Sequence, residues 1–174
     1  MTNNQRNKIE DFVTALPTNE REIYQDIAEY AVELGYTPSI ERNAHGIIIA
    51  LVFSKNKISK RLIKIHPPGV YSDETEFKMQ FYAATEYSEF FHKKLRRDVN
   101  DGRAACESEC GKCAGKYVFV YPDGIKGFRC AIHSLVKLSP LGAEHINEIK
   151  KMMKTQDDFW IDKAAQNKLF LQMR

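Results

Sequence analysis

The chain has 174 residues, and its hydrophobic (43%), charged (28%) and aromatic (11%) fractions are those of a globular domain, which excludes a disordered or collagen-like chain. Its 26 basic and 23 acidic residues leave a net charge of +3, which is too small to indicate nucleic acid as a partner. No apolar run approaches the roughly 20 residues of a membrane span, and the N-terminus lacks the apolar segment of a secretory signal. We therefore expect a single domain over residues 1–174 in the cytoplasm, without a membrane partner.

Two helices are predicted at the N-terminus. Residues 9–16 are predicted to form a short helix that ends at Pro17, because proline cannot continue a helix. Thr18 is the predicted N-cap of the second helix, and Gly35 stands where a left-handed residue commonly ends a helix. The apolar face of this second helix contains Ile23, Ile27, Ala31 and Leu34.

Three strands are predicted after a break at Pro38. Residues 46–53 form an almost continuous apolar run, which is typical of a strand buried on both faces. Residues 61–66 and 77–83 alternate between apolar and polar side chains, as half-buried strands do. Three strands in succession indicate an antiparallel meander.

A helix and a hairpin are predicted next. Ser88 can cap a helix whose apolar face contains Phe91, Leu95 and Val99. Residues 117–121 and 128–135 flank a Pro-Asp-Gly turn sequence at 122–124, which indicates a β-hairpin.

Two further helices are predicted to close the chain. Ser139 and Pro140 are the predicted N-cap and first residue of one helix, and Thr155 or Asp157 is the predicted cap of the last. Together these elements predict an α+β fold, in which a mainly antiparallel sheet of about five strands is flanked by N-terminal and C-terminal helices.

The four cysteines form the most specific pattern in the chain. Their spacing is C-x3-C-x2-C-x16-C, and in a cytoplasmic protein such a cluster indicates metal or redox chemistry more often than disulfides. Four thiolates arranged as a tetrahedron suit zinc, and a knuckle inserted before the last hairpin can supply that geometry. The sequence therefore predicts a four-cysteine element over residues 104–133 that holds structural zinc. Its predicted metal ligands are Cys106, Cys110, Cys113 and Cys130.

Other states of these cysteines stay open at this point. Free or redox-active thiols and an iron–sulfur cluster are the alternatives to zinc. His92 and His133 lie near the cluster in sequence and are candidate replacements for one cysteine, although four cysteines already complete a site.

Charged residues cluster on two predicted helices and in one turn. An acidic stripe lies on the second helix, where hard cations could collect, although such stripes are commonly the solvated side of an amphipathic helix. Basic residues gather within 55–64 and 93–103, and we interpret both groups as solvated surfaces in preference to phosphate sites. The acidic stripe contains Glu22, Asp26, Glu29 and Glu33.

The segment IEDFVTALPTNEREIYQDIAEYAVELG resembles the start of the bacterial YdhG-like family, whose members begin with a D-x-[FV]-x-x-x-L-P phrase. Asp11, Leu16 and Pro17 carry this resemblance, which extends over residues 8–66. It implies a bacterial protein with a frataxin-like α+β fold, and it implies that the acidic stripe contacts iron. A four-cysteine knuckle is not a feature of that family.

No hydrolase, nucleotide-binding or zinc-protease motif is found in the chain, so the sequence predicts no catalytic residue and favours a domain that is not an enzyme. The function expected from the sequence is that of a zinc-stabilised domain that binds a protein or a small molecule. A frataxin-like iron-handling protein is one alternative. A thiol-redox enzyme is another, and it would need an accessible cysteine of low pKa.

Overall fold

A computed structural model describes residues 1–56, 60–80, 83, 86–100, 116–120, 126–130 and 135–172, with the backbone alone described at 60, 96–100, 116–120, 126–130 and 166–172. Over these residues the chain has the predicted α+β fold. Its helices are α1 (Asn3–Thr14), α2 (Arg21–Glu33), α3 (Glu89–Asn100) and α4 (Ile146–Gln172). Its strands are β1 (Thr37–Arg42), β2 (Ile48–Lys55), β3 (Lys60–His66), β4 (Glu76–Met79), β5 (Lys116–Val120), β6 (Lys126–Cys130) and β7 (Val136–Lys137).

One antiparallel sheet of five strands has the order β1-β2-β3-β4-β7, and β5 and β6 form a separate two-stranded hairpin. The sheet therefore has the expected number of strands, but two of its members differ from those predicted. The six-residue strand β1 and the two-residue strand β7 form the two edges of the sheet, in place of the two hairpin strands that the sequence analysis counted among the five. The turn predicted at 122–124 lies outside the described residues.

Strand β1 passes through Pro38, where the sequence analysis had placed a break. Pro38 is the Cα partner of Phe53, and it occupies an edge strand, the place where a missing backbone N–H is tolerated. Lys8 of α1 donates from Nζ to the Pro38 carbonyl at 3.4 Å, and α1 packs against β1. The predicted break at Pro38 was therefore wrong, because proline is excluded from central strands but is tolerated in edge strands.

The N-terminal helices begin and end at different residues from those predicted. Helix α1 begins at Asn3, because Thr2 and Gln5 form a capping box. Thr18 opens a short 3-10 turn and makes no side-chain cap, so its assignment as N-cap was wrong. Gly35 has a φ of +86° and ends α2, as predicted.

Helix α4 is one continuous helix of 27 residues, where two helices had been predicted. Thr155 is not a cap, because its hydroxyl donates to the Lys151 carbonyl within the helix at 3.0 Å. Asp157 is not a cap either, because its carboxylate turns toward Lys55 of β2. The helix also begins after Ser139 and Pro140, following a 3-10 turn over Ala143–His145. Nowhere in the described ranges is there a helix with the length and apolar composition to cross a bilayer.

The core lies on one face of the five-stranded sheet. Strand register aligns Leu51 with Ile65 and Phe77 in one row, and the next row carries Phe53, Ile63, Met79 and Val136. Residues of all four helices join this face in a single apolar cluster, so the helices cover it. The helical members of the cluster include Ile9, Phe12, Ile27, Ala31, Phe91, Leu95, Ile149, Met153 and Trp160.

Candidate functional site

The last residue of β6 is Cys130, and its Cα partner across the hairpin is Lys116, the first residue of β5. The hairpin predicted from the sequence is therefore present in the backbone, but its second strand begins at Lys126 and not at 128, and residues 131–134 of the predicted strand lie outside the described residues. Cys130 lies at the end where the chain enters β5. Cys106, Cys110, Cys113 and His133 lie outside the described residues. The four-cysteine set and its zinc stay a prediction.

Both ends of the cysteine-bearing segment are attached to the core. Helix α3 precedes the segment, and its Phe91 and Leu95 are fully buried in the apolar cluster. Strand β7 follows the segment and pairs with β4 through Val136, which is also buried. His92, on α3, has its Nδ1 at 3.4 Å from a carboxylate oxygen of Glu89.

The acidic stripe of α2 is partly neutralised by its neighbours. Lys150 of α4 donates from Nζ to the Asp26 carboxylate at 2.6 Å, and Gln25 donates to Glu29 at 3.0 Å. Glu22 and Glu33 are exposed. In the part of the chain that the structure describes, no three His, Cys, Asp or Glu residues are arranged to hold a metal ion. The iron-contact role of the stripe stays a prediction.

The sheet face opposite the core carries a row of lysines that the sequence analysis did not bring together. Lys64 of β3 is the Cα partner of Lys78 of β4, which is in turn the partner of Lys137 of β7. Three ammonium-bearing side chains therefore stand side by side on neighbouring strands. Like charges in directly opposed positions destabilise a sheet, so this row needs compensation.

Two carboxylates supply that compensation. The Glu76 carboxylate forms ion pairs with the Nζ atoms of Lys78 at 2.7 Å and Lys137 at 2.8 Å. The Glu41 carboxylate forms ion pairs with Nζ of Lys64 at 2.7 Å and with the guanidinium of Arg61 at 3.7 Å. Burial alone would raise the pKa of Glu76, but the hydrogen bonds from Lys137 and Lys78 outweigh it and lower that pKa below its usual value. Each carboxylate is shared between two cations, so positive charge remains in excess.

An aromatic residue adjoins the lysine row. His66 is the Cα partner of Glu76, and its buried ring contacts the Tyr71 ring edge-on at 4.7 Å. The Nζ atom of Lys78 lies 5.7 Å from the centre of the Tyr71 ring, and 66% of Tyr71 is exposed. Burial lowers the pKa of His66, so this ring is neutral at pH 7. We call Arg61, Lys64, Tyr71, Lys78 and Lys137, with Glu41 and Glu76, the lysine face.

A local signal for the lysine face exists in the sequence. Lys64 and His66 alternate with the isoleucines of β3, and Lys78 alternates with Phe77 and Met79 in β4, which assigns these polar residues to the face away from the core. Nothing local indicates that Lys137 joins them, because β7 has only two residues. A comparison with models of protein families, with curated proteins and with solved structures found no match to this chain.

Proposed function

We propose that this protein is a zinc-stabilised α+β domain that binds a ligand, with zinc held by Cys106, Cys110, Cys113 and Cys130. The observation that supports the proposal best is the pairing of Cys130 with Lys116, since Lys116 follows Cys113 by only three residues. Paired Cα atoms of an antiparallel hairpin are about 4.5–5.5 Å apart, and three residues of chain span at most about 11 Å. The chain length therefore allows the thiolates of Cys113 and Cys130 to reach one metal ion.

The composition of the segment also supports a metal. Residues 101–115 contain three acidic residues, three cysteines and three alanines, but no large apolar residue that could anchor them in a core. Ordering each residue costs about 1–2 kcal/mol of conformational entropy, which apolar burial normally offsets. A structural zinc ion offsets that cost directly, because metal binding and folding are coupled.

Basic residues close to the cysteines in sequence would offset the negative charge of a thiolate-rich centre. A zinc ion with four thiolates carries a net charge of −2, and Lys112, Lys116 and Arg129 are close to the cysteines in sequence. Neighbouring positive charge favours the deprotonated thiolates that bind metal.

Elemental analysis of untagged protein, purified without added metal, tests the proposal. We expect one zinc per chain and four thiols that resist alkylation until the protein is denatured. Cys113→Ser should lose the zinc, whereas Ser108→Ala, a conservative change in the same segment, should keep it. A protein free of metal with rapidly alkylated thiols would contradict the zinc site and favour redox chemistry, and an iron signal with visible absorption would assign the cysteines to a cluster.

A further inference from the structure

We propose that the lysine face binds single-stranded nucleic acid, with the lysines at the phosphodiester backbone and Tyr71 stacked against a base. This inference is independent of the zinc site, because the face belongs to β1, β3, β4 and β7 and to the loop after β3. The net charge of the whole chain is only +3, but positive charge is in local excess on the lysine face.

The lysine face carries an excess of positive charge. It contains four cations and two carboxylates, so its net charge is +2 while His66 is neutral. Glu76 is only 10% exposed, whereas Lys78 and Lys137 are 28% and 37% exposed. An approaching anion therefore meets Lys78 and Lys137 before it meets Glu76, whereas Lys64, at 18% exposed, is less accessible than its partner Glu41, at 33%.

The lysine row is an unfavourable arrangement for the stability of the sheet. Lys64, Lys78 and Lys137 are directly opposed on three neighbouring strands, where uncharged or oppositely charged residues would stabilise the sheet better. Two strand spacings of about 4.8 Å separate the first lysine from the last. The row thus places three cations within about 10 Å, which suits consecutive phosphates of a flexible strand.

The exposed ring of Tyr71 favours nucleic acid over an acidic peptide as the ligand of this face. Lysines attract either partner, but surfaces for single strands combine cations with aromatic side chains on which bases stack. Tyr71 is such a residue, since it is largely exposed and its ring is held by contacts with His66 and Lys78. The carboxylate side chains of an acidic peptide have no aromatic face that could stack on this ring.

Fluorescence anisotropy with a labelled 12-nucleotide oligo(dT) tests the proposal on the full chain. We expect binding at 20 mM NaCl that weakens at least tenfold at 200 mM NaCl, because counterions are released when lysines meet phosphates. Replacing the row with glutamine (Lys64→Gln, Lys78→Gln and Lys137→Gln together) should weaken binding at least tenfold. Tyr71→Ala should weaken it at least fivefold, as the loss of one stacked base does.

Two control variants separate the face from charge in general and from misfolding. Lys151→Gln, Lys154→Gln and Lys163→Gln together remove the same charge from exposed positions of α4, and binding should change less than twofold. Glu41→Gln raises the charge of the face, so it should strengthen binding, a gain that a misfolded variant would not show.

Several results would overturn the proposal. Absence of binding at 20 mM NaCl would do so, as would equal losses from the two triple variants or no gain from Glu41→Gln. A labelled poly-Glu peptide of 12 residues that binds as tightly as the oligonucleotide, with no effect of Tyr71→Ala, would assign the face to an acidic protein partner instead. Zinc content, measured on the same samples, reports separately on the cysteine site.

Discussion

The Nζ atom of Lys55 lies 2.7 Å and 3.0 Å from the two carboxylate oxygens of Asp157, although the residues are 102 positions apart in the chain. The hydroxyl of Tyr36, which is fully buried, donates to the same carboxylate at 2.8 Å. These contacts join the middle of α4 to the end of β2 and to the residue that follows Gly35. The charged pair therefore fixes the position of the C-terminal helix on the sheet.

Replacing Asp157 with alanine is expected to destabilise the protein by about 3 kcal/mol, because the Lys55 ammonium loses its partner in a site where it is only 16% exposed. The free energy of unfolding in urea at pH 7 measures this loss. Asp158→Ala is the matched control, since Asp158 pairs with Lys154 at an exposed position, where an ion pair contributes little to stability. Equal losses in the two variants would show that the buried pair has no special role.

Replacing Glu76 with glutamine is expected to destabilise the protein at pH 7 and to have less effect in acid. The folded state lowers the pKa of Glu76, so its ionised form stabilises the fold above the ordinary value of 4.5. This stabilisation is lost as the pH falls below 4.5 and through the lowered folded pKa. Urea unfolding of both proteins between pH 7 and pH 3 tests this, and a difference that stays constant with pH would refute it.

Protonation of His66 is expected to destabilise the fold. Burial lowers its pKa in the folded state, and the neighbouring Lys78 and Lys64 lower it further, against the opposing effects of the Ile49 carbonyl and Glu76. The unfolded chain therefore binds more protons once the pH falls below 6.5, and stability declines from there toward the folded pKa. Urea unfolding at pH 7.5 and 5.5 should show a smaller decline in His66→Gln than in the wild type.

His45→Gln provides the control for that comparison. His45 is exposed in the turn between β1 and β2, and its backbone N–H donates to the Asn43 side chain. The variant should retain the decline of the wild type between pH 7.5 and 5.5. If His45→Gln abolishes the decline and His66→Gln does not, the assignment to His66 is wrong.

Truncation of a buried side chain of β2 is expected to lower the stability of the protein. Leu51 is fully buried between Ile40 and Ile65 in the sheet register, so Leu51→Ala should lower the free energy of unfolding by about 2–5 kcal/mol. Ile47, next to the same strand, is 60% exposed, and Ile47→Ala should change it by about 0.5 kcal/mol or less. Thermal and urea unfolding of the two variants measure the difference. Comparable losses in the two variants would show that Leu51 is not part of the core.

Local periodicity was sufficient for the elements whose neighbours are close in sequence. The apolar run of β2 and the alternation in β3 identified these strands, and the spacing of Ile27 and Ala31 identified the buried face of α2. Gly35 marked the end of α2 because its φ of +86° is one that L side chains rarely adopt. Each signal lies within a few residues of the feature that it predicts.

The helix caps show where local signals fail. Asp157 has the residue type of an N-cap, but the same carboxylate can serve a cation that lies far away in sequence. Tertiary packing brings Lys55 and Tyr36 to it, and α4 continues without interruption. Pro38 was misread in the same way, since whether a strand lies at an edge depends on the other strands.

The sequence by itself determined the α+β class, a buried strand that was predicted at 46–53 and lies at Ile48–Lys55, the presence of a hairpin and the spacing of the four cysteines, because each of these depends on residues that are close together in the chain. Only the tertiary structure decided that β1 and β7 form the edges of the sheet and that Lys64, Lys78 and Lys137 stand in one row. The physical reason is register. Side chains alternate between the two faces of a strand, and pairing between strands distant in sequence selects which of them become neighbours.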